Sequence, residues 1–204
     1  MSIRGVGLDV SRETVERLEV YFALLKKWNP AINLVAKSTI EDAWSRHIVD
    51  SVQIYALAPE SWQSWADLGS GGGFPGAVVA IVAQELRPSG HVTLVESDQR
   101  KVAFLRNVLR ETGTTGEVVA QRIEKVPALA ADVISARALA NLTKLLEFAE
   151  LHVHESSTLL FPKGVNWEKE VSLARESWSF ECSAITSKTD QNAVILKVEG
   201  LARV

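Results

Sequence analysis

Cysteine is almost absent: Cys182 stands alone among 204 residues. A single cysteine excludes an internal disulfide and a thiolate metal cage. The four histidines are scattered without H-x-x-x-H spacing, so no metal site is expected. An excess of basic charge is also missing. With 22 Lys and Arg against 25 Asp and Glu the net charge is -3, which excludes binding to nucleic acid by bulk electrostatics and leaves room only for a local basic patch. No apolar run approaches the roughly 20 residues that a membrane-spanning helix needs. Residues 1–10 carry one Arg and no apolar stretch before a small-residue cleavage site, so no secretion signal is read and a cytoplasmic location is expected. There is no internal repeat and no low-complexity tract.

What is present suits one α/β domain with a short accessory segment: 47% hydrophobic and 23% charged residues over a length that can enclose a full core. Val15, Leu18, Phe22 and Leu25 recur at helical spacing within 10–28, with Ser11 or Asp9 as the cap, and a second helix is predicted at 39–57. Residues 1–60 thus read as an N-terminal helical segment, ended near Pro59. From Trp62 onward, short apolar strands alternate with helices. Strands are predicted at 64–68, 91–95, 117–120, 132–135, 158–162, 180–187 and 193–198, and helices at 75–85, 98–111, 142–152 and 166–173. Seven strands, the last two close enough for a hairpin, give a Rossmann-like, mostly parallel sheet over 61–204, the arrangement of class I methyltransferases.

The most informative stretch is Asp67-Leu68-Gly69-Ser70-Gly71-Gly72-Gly73-Phe74-Pro75-Gly76, which ends a strand and opens a helix. Gly69 and Gly71 lack the Cβ atoms that would keep a cofactor off the backbone, and Pro75 suits a first helical turn. Free N–H groups there are suited to the carboxylate of a methionine moiety. A dinucleotide fingerprint, G-x-G-x-x-G, fails because Phe74 occupies the third glycine position, whereas Gly73 completes G-x-G-x-G. Asp67 is the acidic residue expected before such a loop. Glu96 closes the second strand and is placed to accept both ribose hydroxyls; Ile123 and Glu124 follow the third strand, where an adenine edge sits. The cofactor implied is S-adenosyl-L-methionine.

Methyl transfer from a sulfonium depends mainly on placing the nucleophile. The fourth strand ends Ile134-Ser135-Ala136-Arg137-Ala138. Neither N-P-P-Y nor D-P-P-Y occurs there, which disfavours exocyclic amines as acceptors, and no Pro-Cys pair is present for covalent attack on a pyrimidine. Arg137 is placed to hold a base or a phosphate through its forked donors.

Trp28-Asn29 with Asn33-Leu34, Arg46-His47-Ile48-Val49-Asp50-Ser51, the 67–76 loop, Arg100-Lys101 with Phe104-Leu105-Arg106, Ser135 to Ala138, and Lys163-Gly164 together resemble the bacterial small-subunit rRNA guanine-N7 methyltransferases, also called the glucose-inhibited division protein B family. The resemblance runs from about Leu24 to Gly164. The glycine loop is shared by many methyltransferases; the W-N-x-x-x-N-L and R-H-x-x-D-S segments are particular to this family. Val35 stands where Thr or Ser is the rule, and Ala136 separates Ser135 from Arg137 where the family often has Ser and Arg adjacent.

The resemblance implies methylation of N7 of a guanine in the 16S rRNA, in the decoding-region loop, by a monomer acting on the rRNA or on the small ribosomal subunit. It places Gly69, Phe74, Ile123, Glu124 and Arg137 at the cofactor, and Asn33, His47, Arg137 and Lys163 toward RNA. A guanine N7 has an unshared pair and no proton to lose, so no general base is called for. Arg100, Lys101, Arg106 and Arg110 recur along one helix and, with Arg122 and Lys125, form a candidate basic face. A methyltransferase acting on a small molecule, with the N-terminal helices as a lid, is the alternative enzyme; a binding module that keeps the fold but has lost activity is the alternative from another class. Trp28, Trp44, Trp62 and Trp65 are expected to pack the helical segment on the sheet.

Overall fold

A computed structural model describes residues 8–36, 39–40 and 42–204. Positions 1–7, part of the stretch read above as lacking a secretion signal, and position 41 of the predicted second helix lie outside the described residues.

The first helix, α1 (Arg12–Ile32), starts at Ser11, whose hydroxyl accepts from the Thr14 N–H. It runs past the predicted end through Pro30, because Ile32 packs against the core and the Asn33 N–H closes the last turn on the Asn29 carbonyl at 3.0 Å. Asn33 caps it with φ of 50°, a left-handed conformation that Asn tolerates. The predicted second helix is shorter than expected: a π-helical stretch, Trp44–Val49, leads directly into α2 (Asp50–Tyr55).

The remaining elements alternate as expected: β1 (Ser64–Leu68), α3 (Gly76–Leu86), β2 (His91–Val95), α4 (Gln99–Glu111), β3 (Glu117–Val119), β4 (Val133–Ser135), α5 (Leu142–Glu150), β5 (Thr158–Lys163), α6 (Trp167–Ala174), β6 (Trp178–Thr186) and β7 (Val194–Arg203). One seven-stranded sheet results, ordered β3-β2-β1-β4-β5-β7-β6, with only β7 antiparallel to its neighbours. The terminal hairpin outruns its apolar run, since main-chain pairing continues to Trp178 opposite Arg203.

Alternation along each strand divides the core in two. Trp65, Leu94, Val133, Leu160 and Ile195 face a layer built by α1, α2, α3 and α4; Ala66, Leu68, Ile134, Phe161 and Leu196 face α5 and α6. Trp28, Trp44, Trp62 and Trp65 sit in the first layer, as expected, while Trp167 and Trp178 belong to the second. Trp62 meets Trp65 edge-on at 5.5 Å, Tyr55 stacks on Trp65, and Trp28 lies 5.7 Å from Phe104. The N-terminal helices therefore share one apolar layer with the sheet.

Candidate active site

Chain order and spatial order part company between β1 and β4. The loop after β1 turns to α3 on one face of the sheet, while the loop after β4 turns to α5 on the other, so a crevice opens at the carboxyl ends of these two strands. A cavity of about 660 Å³ fills it.

The glycine loop forms its floor. Ser70 N–H bonds the Val95 carbonyl at 3.0 Å, Gly73 N–H bonds the Ser70 carbonyl at 2.7 Å, and the Tyr21 hydroxyl donates to the Gly72 carbonyl. At Gly73, φ is +93° and a Cβ would lie 2.6 Å from the Tyr21 oxygen, so helix α1 and the loop approach each other as only glycine allows. At Gly71 the reason differs: with φ of +56°, a Cβ would meet only the Gly69 carbonyl, at 3.7 Å. That backbone is bare toward the cavity.

Glu96 enters from the end of β2 and is buried. Its Oε2 accepts from the Gly71 N–H at 2.9 Å, and its Oε1 accepts from Ser97 and Asp98 N–H at 2.7 and 2.8 Å. An ionised carboxylate has about four acceptor positions. Three are taken, which leaves one, on Oε2, rather than the two that were expected for both ribose hydroxyls. The Gly71 N–H is likewise committed to Glu96. Ile123 and Glu124, on a short 3-10 turn, line the opposite side with Phe148 and Leu139.

Arg137 forms the wall nearest the N-terminal helices. Its Nη1 donates to the Arg46 carbonyl at 3.2 Å and approaches Asp50 Oδ2 at 3.4 Å; its Nη2 donates to His47 Nδ1 at 2.8 Å; its guanidinium lies 4.9 Å from the Phe74 ring centre. The residue after Ala136 thus points at the π-helical stretch. Burial lowers the Arg137 pKa and Asp50 opposes that shift. Burial, then the Arg137 charge, hold His47 down at about 4, so its ring is neutral, accepting at Nδ1 and carrying its proton on Nε2 toward Thr39 Oγ1 at 3.2 Å. Asp50 Oδ1 is bonded by Gln53 Nε2 at 2.6 Å and Thr189 Oγ1 at 2.8 Å, which ties the helical segment to the β6–β7 turn.

Of the residues that the sequence singled out, Gly69, Gly71, Phe74, Glu96, Ile123, Glu124, Arg137 and His47 line this one cavity. Asp67 does not. It is wholly buried behind the loop, where Ser135 Oγ donates to its Oδ1 at 2.7 Å and itself receives the Trp65 Nε1–H at 2.9 Å. Burial pushes the Asp67 carboxyl up to about 6. Asn33 is exposed at the end of α1, and Leu34 and Val35 line the cavity instead; Asn29, buried, holds the turn by accepting from the Val35 N–H at 2.9 Å. Lys163 is not an exposed strand-end lysine: its side chain is 8% exposed and its Nζ bonds the Ala140 carbonyl and Glu170 at 2.9 and 2.8 Å.

The basic face divides in the same way. Arg100 pairs with Asp98 and Arg110 with Glu111, whereas Lys101 and Arg122 line the cavity and form no ion pair among the described residues. Sequence reasoning missed Asp50 and Glu170 as site residues, and the signal available was slight: an acidic residue three positions after His47 and another seven after Lys163. No group of three or more His, Cys, Asp or Glu suited to a metal occurs among the described residues, and no described helix is long and apolar enough to cross a membrane.

A seven-stranded sheet with β7 reversed, a bare glycine cradle after β1 and an acidic residue closing β2 define a class I S-adenosylmethionine-dependent methyltransferase. The cradle fits that cofactor: Gly71 leaves the backbone open to it, and Glu96 keeps an acceptor position for a hydroxyl. Solved structures share the fold at low identity. The mitomycin 7-O-methyltransferase MmcR superposes with a TM-score of 0.62 at 15% identity over 93% of this chain and 69% of its own. A SAM-dependent methyltransferase from Aquifex aeolicus gives 0.58 at 13% identity, over 87% of this chain and 97% of its own. The M. jannaschii TYW2 in complex with AdoMet gives 0.57 at 11%, over 83% and 78%.

Sequence then narrows the class. The family model for rRNA small subunit methyltransferase G matches residues 14–195, and the chain belongs to that family. Curated relatives of that name include one from Ruegeria sp. (strain TM1040), 57% identical over 98% of this chain and 97% of its own, and one from Ruegeria pomeroyi, 52% identical over 97% and 96%. Another, from Rhodospirillum centenum, is 49% identical over 96% of this chain and 88% of its own.

Proposed function

We propose that the chain transfers a methyl group from S-adenosylmethionine to N7 of one guanine in the 16S rRNA of the small ribosomal subunit. When bound, the cofactor supplies a methyl group on a sulfonium, an electrophile that needs no activation by the protein. The glycine backbone and Glu96 hold it, Ile123 and Glu124 flank it, and Arg137, braced on Phe74, His47 and Asp50, orients the acceptor.

The observation that carries this reading is that neither titratable group bonded to Arg137 is free to act as a base. His47 has its Nδ1 lone pair engaged by Arg137, and the Asp50 carboxylate is engaged on both oxygens. An acceptor that must lose a proton is poorly served there; N7 loses none. Lys101 and Arg122 at the cavity supply the local positive charge that a chain of net charge -3 lacks as a whole. Asn33, exposed beside the cavity-lining Leu34, is placed to meet RNA at the rim, while Lys163 acts from beneath through Glu170. One chain furnishes every group that this reading uses, which supports a monomer, and neither N7 chemistry nor the residues present call for a metal. An rRNA substrate supports a cytoplasmic location.

Transfer of labelled methyl to small-subunit particles and to their extracted rRNA, followed by nucleoside analysis, tests it. Label in 7-methylguanosine is expected. Label in another nucleoside, or none despite measurable cofactor binding, overturns the assignment.

A further inference from the structure

A second cavity of about 360 Å³ adjoins the first, and Arg137 and Ala138 line both. Its remaining wall comes from Asp50, the carboxyl end of β5, the start of β7 and Glu170 of α6. Glu170 is unusual there. Its Oε2 accepts from the Leu142 N–H at 2.7 Å and from Lys163 Nζ at 2.8 Å, which fixes the side chain, while Oε1 accepts no hydrogen bond among the described residues. Arg137 presents the opposite polarity. A guanidinium has five N–H donors, and the three bonds to Arg46, Asp50 and His47 leave Nε–H and one Nη2 hydrogen without a partner among the described residues. A fixed acceptor and a fixed donor thus line one cavity that opens onto the cofactor crevice.

We propose that this second cavity takes the purine ring of the methyl-accepting guanine, with Arg137 donating to O6 and Glu170 Oε1 accepting from N1–H and the exocyclic N2–H. The inference rests on the reading above that an RNA guanine is the substrate, and it adds which residue selects the base. Around a guanine edge the polar groups run N7, O6, N1–H, N2–H. With N7 turned to the cofactor crevice, O6 falls at the shared wall, where Arg137 stands, and the two N–H donors fall deeper, where an acceptor is required. Adenine inverts both polarities: its amino group would face the Arg137 donors, and its N1 has no hydrogen for Glu170. A base lifted out of an RNA stack is recognised in a pocket by this kind of pairing along its Watson–Crick edge. Lys163 then acts through Glu170, by holding its carboxylate in place, and Glu170 is a specificity-determining residue.

The test is a double-mutant cycle between protein and base. The accepting guanosine is located from the wild-type product and replaced by inosine, which lacks only the exocyclic amino group, in the rRNA preparation that the wild type accepts. Single-turnover methylation is then measured for the wild type and for Glu170→Gln. Loss of a hydrogen bond to a charged acceptor predicts that the wild type prefers guanosine by about 10-fold. Glu170→Gln is expected to lose about 10- to 100-fold on guanosine and less on inosine, which keeps the N1–H contact but has no N2–H to lose. Its cofactor affinity by calorimetry should be unchanged. An equal loss on both substrates assigns Glu170 to structure alone and overturns the proposal. If Glu170→Gln does not fold, the wild type decides by itself: equal rates on guanosine and inosine overturn the proposal, and a clear preference upholds it. A wild type that makes no 7-methylguanosine overturns the underlying reading, and the base pocket falls with it.

Discussion

The Arg137–Asp50 contact invites a decisive perturbation, since each side chain is largely removed from water, with 16% and 15% exposure, and the two differ in what else supports them. Asp50→Asn keeps shape and hydrogen-bonding capacity but withdraws the countercharge, leaving the guanidinium with the Arg46 carbonyl, the His47 ring and the face of Phe74. Breaking a buried pair from one side costs about 3–5 kcal/mol. The 3.4 Å separation and the residual exposure argue for the low end, about 3 kcal/mol. For a domain of this length that corresponds to a fall in Tm of roughly 6–12 °C. Arg137→Met is expected to cost less, because Asp50 keeps Gln53 and Thr189 on its other oxygen. The double variant should recover most of the Asp50→Asn loss, since no buried charge is then left unpaired. Urea unfolding of all four proteins measures this. Additive losses, or an Asp50→Asn cost below about 1 kcal/mol, would show that the pair is no more than a surface contact and refute its part in bracing Arg137.

Two further outcomes follow from the shifted pKa values. Asp67 is raised from about 3.8 to about 6 in the folded state, so the stability it confers is full at low pH and is lost as pH rises through about 6. Asp67→Asn should therefore become more stable than the wild type by an amount that grows between about pH 4 and 6, then levels near 3 kcal/mol; a constant difference across that window would count against a buried carboxyl. His47 is lowered to about 4, the opposite sign for stability: its contribution is full above about 6.5 and is lost as pH falls toward 4. Imidazole nitrogen spectra should show one Nε2–H tautomer unchanged from about pH 5.5 to 8, and a midpoint near 6.5 would sink the Arg137–His47 hydrogen bond.

The limits of a linear reading show at particular residues. The glycine loop is legible because its chemistry is local: a strand, a turn needing positive φ and a helix start must be contiguous in the chain. Asp67 shares that segment yet does not line the cavity, because side chains alternate along a strand and its own falls on the face toward Ser135 and Trp65 rather than toward the crevice. Lys163 was legible as a family residue, and its partner Glu170 was not, since only the turn into α6 brings the two together.

The sequence by itself determined the alternation of strands and helices, the reversed terminal hairpin, the glycine cradle and the family, because each depends on periodicity or on residues adjacent in the chain. Only the tertiary structure decided which charges meet. Arg137 finds His47 and Asp50 some 90 residues away, at 2.8 and 3.4 Å, and Asp50 in turn reaches Thr189. Burial and Coulomb energies depend on such separations in space, which no spacing along the chain encodes, and they keep His47 neutral beside the arginine between two cavities.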